Sequence, residues 1–226
     1  MDNGPQTIDE SLAMLEILQR VRTRRLIVTP HFDHRFETCA HFLSRRKDSY
    51  SDLRKHAGPL LHRMKLLLSA EVYLSPGVSH LPLLDRLCIP NTRCLSIELP
   101  LGSFNRHMMA EIAHLLHKRK IIPIITATER YFLMYSKQDY ETLTGLPNTV
   151  YQFTVNALHN KDILHEAIRL LHTGHYVVLG SNAHDSVRRK PIDEETERFI
   201  TSECGSTVFE AFSLKTAAYF KDAFSS

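Results

Sequence analysis

No two cysteines of this sequence stand in a C-x-x-C pair. The four, Cys39, Cys88, Cys94 and Cys204, are widely spaced, which argues against a structural zinc site and against a disulfide framework. No apolar run approaches the roughly 20 residues that span a bilayer, so no membrane insertion is expected. The N-terminus, MDNGPQTIDE, is polar and acidic and lacks the features of a signal peptide, which makes a cytoplasmic protein the default expectation. Neither sign of charge dominates. With 28 basic and 25 acidic residues the formal net charge is +3, so charge gives a nucleic-acid partner little support and none is expected. Fixed-period repeats, low-complexity tracts and long linkers are also missing. The 226 residues, 43% of them hydrophobic, are expected to form one domain over 1–226 with a sizeable core.

What is present is an alternation of short strand-like runs with helical patterns. Ser11 to Val21 has helical apolar spacing with Asp9 as its expected N-cap, and Leu26–Thr29 reads as a strand ending at Pro30-His31. A long polar helical region runs to about Met64. Lys65 to Tyr73 and Cys94 to Leu99 read as strands, and Asn105 to Lys118 as an amphipathic helix. Strands over 121–127, 150–155 and 176–180 then alternate with helices over 136–144 and 161–172, and the chain from about Asp193 reads as helical. A βαβα order of this kind predicts an α/β fold with a parallel sheet or barrel covered by helices. The basic clusters Arg22–Arg25, Arg45–Lys47 and His117–Lys120 read as solvated helix faces or helix ends.

In such folds chemistry gathers where the strands end. That rim holds His31, Glu71, Glu98, Glu129 with Arg130, Asn156, and Asn182 with His184. Imidazoles and carboxylates from several strands converging on one face would suit a divalent metal site. Most of the other histidines among the 14 fall at helical positions, where a surface or half-buried role is expected. Cys39-Ala-His-Phe-Leu-Ser-Arg45 matches a C-x5-R pattern, but it contains no glycine for a phosphate-cradling loop and reads as helix, with Cys39 as a packing residue.

Seven short motifs occur in order along the chain: Asp2-Asn3-Gly4, Thr29-Pro30-His31, Ala70-Glu71-Val72-Tyr73, Ile97-Glu98, Glu129-Arg130-Tyr131, Ser181-Asn182-Ala183-His184, and Arg188-Arg189 with Pro191. On these the sequence resembles the CpsB/CapC family of polymerase-and-histidinol-phosphatase (PHP) proteins, bacterial manganese-dependent protein-tyrosine phosphatases of capsular and exopolysaccharide synthesis. The resemblance implies a PHP-type distorted (β/α)7 barrel holding three Mn2+ ions with nine side chains. The family's first strand, with its His-x-His, is missing from this chain. It further implies that His31, Glu71, Glu98 and His184 are metal ligands, that Asn3, Ala127 and Asn182 are altered ligand positions, and that Arg130 and Arg189 contact phosphate as catalytic residues. The least altered metal position would be the one using Asn3, His31 and His184.

Losing charge at Asn3 and Asn182 and a donor at Ala127 is expected to weaken metal binding, since altering even a partner of a ligand costs about 10- to 100-fold. Arginine forks suit phosphate without a metal. The expectation is therefore a tyrosine-phosphatase-like protein whose activity is weak or lost. Its alternative is a non-catalytic binder of a phosphotyrosine-bearing partner, such as the tail of a polysaccharide-synthesis tyrosine kinase; a third is a marginally stable remnant.

Overall fold

The computed structural model describes residues 4–204 and 206–224. Helix α1 spans Ile8–Arg20, so its cap lies two residues before the Asp9 expected from sequence. Thr7 is the N-cap, its Oγ1 accepting from the Glu10 N–H, while Asp9 and Glu10 lie in the first turn, where the helix dipole favours them.

Strands β1 (Arg25–Val28) and β2 (His31–Phe32) follow, and after helix α2 (Cys39–His62) come β3 (Lys65–Leu68) and β4 (Glu71–Tyr73). The run 65–73, read from sequence as one strand, is thus divided at Ser69-Ala70. The division is shallow. Arg25 faces Lys65 and His31 faces Glu71 at the same offset, so the parallel ladder crosses the break without slipping. The Ser69 N–H donates to Val28 O and the Glu71 N–H to Pro30 O on the same ladder. What Pro30 cannot supply is a backbone donor. The Ser69 carbonyl, which such a donor would serve in a regular parallel ladder, accepts from Arg46 Nη1 at 2.5 Å instead. Arg46 also stacks its guanidinium on the Phe42 ring and is half-buried, so the reading of Arg45–Lys47 as a solvated face fails at this residue. Helix α2 itself breaks at Gly58 (φ 34°), just ahead of Pro59.

The sheet continues through β5 (Cys94–Glu98), β6 (Ile122–Ile125), β7 (Val150–Thr154) and β8 (Tyr176–Gly180), in the order β2-β4-β5-β6-β7-β8 with every pair parallel. Among the described residues no ladder joins β8 to β1 or β2. The helices between them are α3 (Arg106–His114, continued by a π-helical turn to Arg119), α4 (Thr128–Met134), α5 (Lys137–Thr144) and α6 (Lys161–His172). Helices α7 (Glu194–Cys204) and α8 (Ser206–Tyr219) close the chain. Helices α5 and α6 and strand β8 lie where the sequence placed them, and Ser136 and Asn160 cap the two helices.

The main core lies between the outer sheet face and the helices, around Val72, Leu95, Ile97, Ile125, Tyr151, Phe153 and Val177. The inner face alternates with it, as the two-residue period of a strand requires. Its N-terminal floor is apolar: Leu67, Ile124, Val150 and Val178 pack with Tyr219, Phe220, Ala223 and Phe224. One rung further along, Ser96, Thr126, Gln152 and Gly180 line a cavity of about 950 Å3. At the mouth stand the residues singled out from sequence.

Candidate metal and phosphate site

The structure brings His31, Glu71 and Glu98 together. Each offers one donor atom, and the three atoms lie within 4.8 Å of one another. Register does this. His31 faces Glu71 across β2 and β4, while Glu98 faces Tyr73, two residues beyond Glu71 on the same side of β4. His31 Nε2 is 3.5 Å from Glu71 Oε2, and Thr126 donates its hydroxyl to Glu71 Oε1 at 2.5 Å. Burial works to raise the Glu71 pKa, but the hydrogen bonds from His31 and Thr126 and the charges of His31 and His184 outweigh it, so the carboxyl is held below its ordinary range.

The fourth expected ligand stands beside this group. The His184 ring is buried and lies 5.5 Å from the His31 ring, centroid to centroid. Its Nε2 donates to Asn182 Oδ1 at 3.3 Å, and Asn182 Nδ2 reaches Thr154 Oγ1 at 3.4 Å. Asn182 thus serves as a neutral bridge between His184 and β7. Ala127 is buried, caps α4 without a side-chain bond, and has no donor to offer. Asn3 lies outside the described residues, so the position expected to be least altered is represented here by His31 and His184 alone.

Both altered positions that the structure describes share one backbone feature. Ala127 has φ 47° and Asn182 has φ 48°, in the left-handed region that residues with a Cβ seldom enter. Asparagine tolerates it, whereas alanine gains no local hydrogen bond from it.

The two arginines differ in placement. Arg130 Nη1 donates to Glu98 Oε1 at 2.7 Å from the first turns of α4. Burial works against its charge, but the Glu98 hydrogen bond prevails and the guanidinium pKa is raised. Arg189 is exposed, and its part in the site is through the backbone. Its carbonyl accepts from the His184 N–H at 2.8 Å, and its own N–H donates to the Asp185 carboxylate. The Val187, Arg188 and Arg189 N–H groups all converge on Asp185 and hold its pKa low. This turn carries the basic residues past the end of β8.

Two rim residues named from sequence do other work. Glu129 is buried, and its Oε2 accepts the Thr154 N–H at 3.1 Å, tying α4 to the end of β7. Asn156 lies in the short helical turn after β7, its buried Oδ1 making no hydrogen bond among the described residues. Cys39 opens α2 with a buried side chain and a thiol pKa raised by that burial, which suits packing and not nucleophilic attack. Cys88 is further from reactivity still, pushed up by burial to about 12. The sequence reading missed the Thr126 hydroxyl, although Thr126 precedes Ala127 at a strand end, and while it allowed Glu98 an arginine partner it did not identify that partner as Arg130.

One imidazole and two carboxylates make a donor set suited to a single divalent cation. Glu98 gives one oxygen to Arg130, and Glu71 gives one to Thr126 and the other to His31, so a cation entering there would take the place of the His31–Glu71 contact. No helix is long and apolar enough to cross a membrane among the described residues.

Comparison with known proteins agrees with the fold. The crystal structures of YwqE from Bacillus subtilis and CpsB from Streptococcus pneumoniae, described as unique metal-dependent tyrosine phosphatases, include a chain that matches this fold with a TM-score of 0.73. The match has 20% sequence identity and covers 96% of this chain and 90% of that one. No curated protein matches the sequence. The family model for capsular polysaccharide synthesis proteins, CpsB/CapC, matches residues 1–220, and this chain belongs to that family.

Proposed function

We propose that the mouth of this sheet binds the phosphate monoester of a protein tyrosine together with one divalent cation, manganese by family, and that it hydrolyses the ester weakly. The convergence of His31, Glu71 and Glu98 carries this reading, with Arg130 anchored on the third of them. In it His31, Glu71 and Glu98 hold the cation and His184 completes the wall beside it. Arg130 and Arg189 receive the phosphoryl oxygens, a geometry that the planar guanidinium fork favours. A divalent cation there would supply Lewis-acid polarisation of a phosphoryl oxygen.

Weak turnover follows from what the other positions lack. A multi-metal clamp needs donors on both sides of the phosphate, and Ala127 and Asn182 provide neither a second imidazole nor a carboxylate. The finer architectural reading is a distorted (β/α)7 barrel, which the all-parallel order β2-β4-β5-β6-β7-β8 and the helices between the strands support. A second reading rests on the Asn182–His184 hydrogen bond, which occupies a ring nitrogen with a neutral amide. In that reading the site binds phosphotyrosine without turning it over, and its partner is the phosphorylated tail of a bacterial tyrosine kinase in polysaccharide synthesis.

The deciding experiment is hydrolysis of a phosphotyrosine peptide with added Mn2+, run beside Glu71→Gln. Turnover that vanishes in the variant supports the phosphatase. Binding of the peptide without turnover by either protein supports the non-catalytic reading.

A further inference from the structure

The loop between β2 and α2 and the end of β4 bring three side chains together, just beyond His31 and Glu71 along the chain. Alternation along β4 puts Tyr73 on the same side of the strand as Glu71, about 7 Å further toward the mouth. The Arg35 guanidinium lies over the Tyr73 ring, 4.6 Å from its centroid, and 5.5 Å from the centroid of Phe36. Asp33 fixes Arg35 there by accepting from its Nε and Nη2 and from its backbone N–H. Asp33 follows His31 by two residues, so the strand end that presents a metal donor also presents this clip. Phe36 ends the group with its side chain in solvent, 84% exposed.

A large ring left this open would be expected to fold against a neighbour wherever one is within reach. Here the Phe36 ring has the Arg35 guanidinium beside it, a cation held in place by a carboxylate, and most of its surface is open to solvent. A phosphate reaching Arg130 beside Glu98 carries its ester group outward past Tyr73, since Tyr73 and Glu98 face each other across β4 and β5. If that group is aromatic it meets Phe36 and the outer face of Arg35. If it is a short aliphatic chain it reaches neither.

We propose that Arg35, Phe36 and Tyr73 form a lip over the site, in which Phe36 selects aromatic phosphate monoesters over aliphatic ones. The proposal rests on the reading of the site as one for phosphate monoesters, and it adds the element that distinguishes among them. Phe36 is a specificity residue here, outside the group that would hold the cation or the phosphoryl oxygens.

The test uses the full-length protein with Mn2+ and measures binding of three probes: inorganic phosphate, phenyl phosphate and glycerol 1-phosphate. The expected result is a preference of about three- to tenfold for phenyl over glycerol phosphate, the size of one aromatic pair contact. Phe36→Ala should remove that preference and leave inorganic phosphate unchanged, and Phe36→Tyr should retain it. A preference that persists in Phe36→Ala, with phosphate still bound through Arg130, overturns the lip alone. If wild type binds no phosphate, or if Arg130→Ala leaves phosphate binding intact, the monoester reading falls and the lip falls with it. A melting curve for each variant separates loss of contact from loss of fold.

Discussion

Arg130 holds Glu98 through its guanidinium, 2.7 Å away. The same carboxylate is one of three donors that converge at the mouth. Metal and arginine therefore share a residue, and whichever holds it changes what the other can do.

The first prediction follows from that sharing. Mn2+ should raise the melting temperature of the wild-type protein in a concentration-dependent way, by about 2.7 kcal/mol of stability at 100 times the dissociation constant. Glu98→Gln should abolish the shift. It should also free Arg130, so that phosphate binds the metal-free variant up to about fivefold more tightly, the range of a partly exposed ion pair. Melting curves with Mn2+ and a phosphate titration without it check both arms.

A second prediction concerns the two altered positions. Histidine and aspartate are both tolerated in left-handed backbone, so Ala127→His with Asn182→Asp should restore donors without rebuilding the loops at φ 47° and φ 48°. The double variant should bind Mn2+ about 10- to 100-fold more tightly than wild type, and phosphotyrosine hydrolysis should rise with it. Unchanged affinity, measured by calorimetry, would mean that these positions do not face the cation.

A third prediction tests the mended ladder. Arg46→Met leaves the Ser69 carbonyl facing Pro30 with no donor, which should cost ~2 kcal/mol. For a protein of this length that lowers the melting temperature by roughly 4–8 °C. Pro30→Ala in the Arg46→Met background should recover part of the loss by returning a backbone N–H. Simple additivity of the two substitutions in a double-mutant cycle would show that they are independent.

The fourth prediction is a pH dependence away from the site. Asp193 caps α7, its Oδ1 accepting from the Thr196 N–H and hydroxyl, and it pairs with Lys190. Burial opposes its charge, but Lys190 and Thr196 prevail, and its pKa is lowered to about 2. A carboxyl depressed in the folded state stabilises above its unfolded value, about 3.9. That contribution is present in full near pH 5 and fades as pH falls toward 2. Asp193→Ala should cost about 1 kcal/mol at neutral pH, the usual value of a cap. The difference between the two melting curves should shrink to near zero by about pH 2.

How much of this was legible beforehand depends on the distance over which each feature is decided. The bounds of α5, α6 and β8 were readable because the apolar period and the caps Ser136 and Asn160 sit inside or beside each element. The start of α1 was misplaced because Thr7 and Asp9 are both good caps, and only packing chooses between them. Helix α4 escaped notice because its seven residues are too few to show a period. His31, Glu71 and Glu98 were found because each stands at an end of a strand-like run, although His31 and Glu71 open the short strands β2 and β4 and only Glu98 closes one. Their meeting at one point follows from the register. Arg46 was misread because what calls for it is a proline on another strand, a relation no local window contains. That Arg130, 32 residues away, is the arginine paired with Glu98 was hidden for the same reason.

The graded inner face of the sheet has a consequence of its own. From Val150 through Gln152 to Thr154, and from Ile124 to Thr126, each strand steps from hydrocarbon to hydroxyl or amide within two residues. The strands therefore act as depth gauges, and a single substitution can be read against them. An acid introduced at Ile124 would sit among the apolar floor and remain protonated at neutral pH, whereas the same acid at Thr126 would face the Glu71 carboxylate and share a proton with it. Carboxylates placed at successive rungs, with each pKa followed by NMR, would chart where inside this protein a charge first becomes tolerable. The ligand group should mark that boundary.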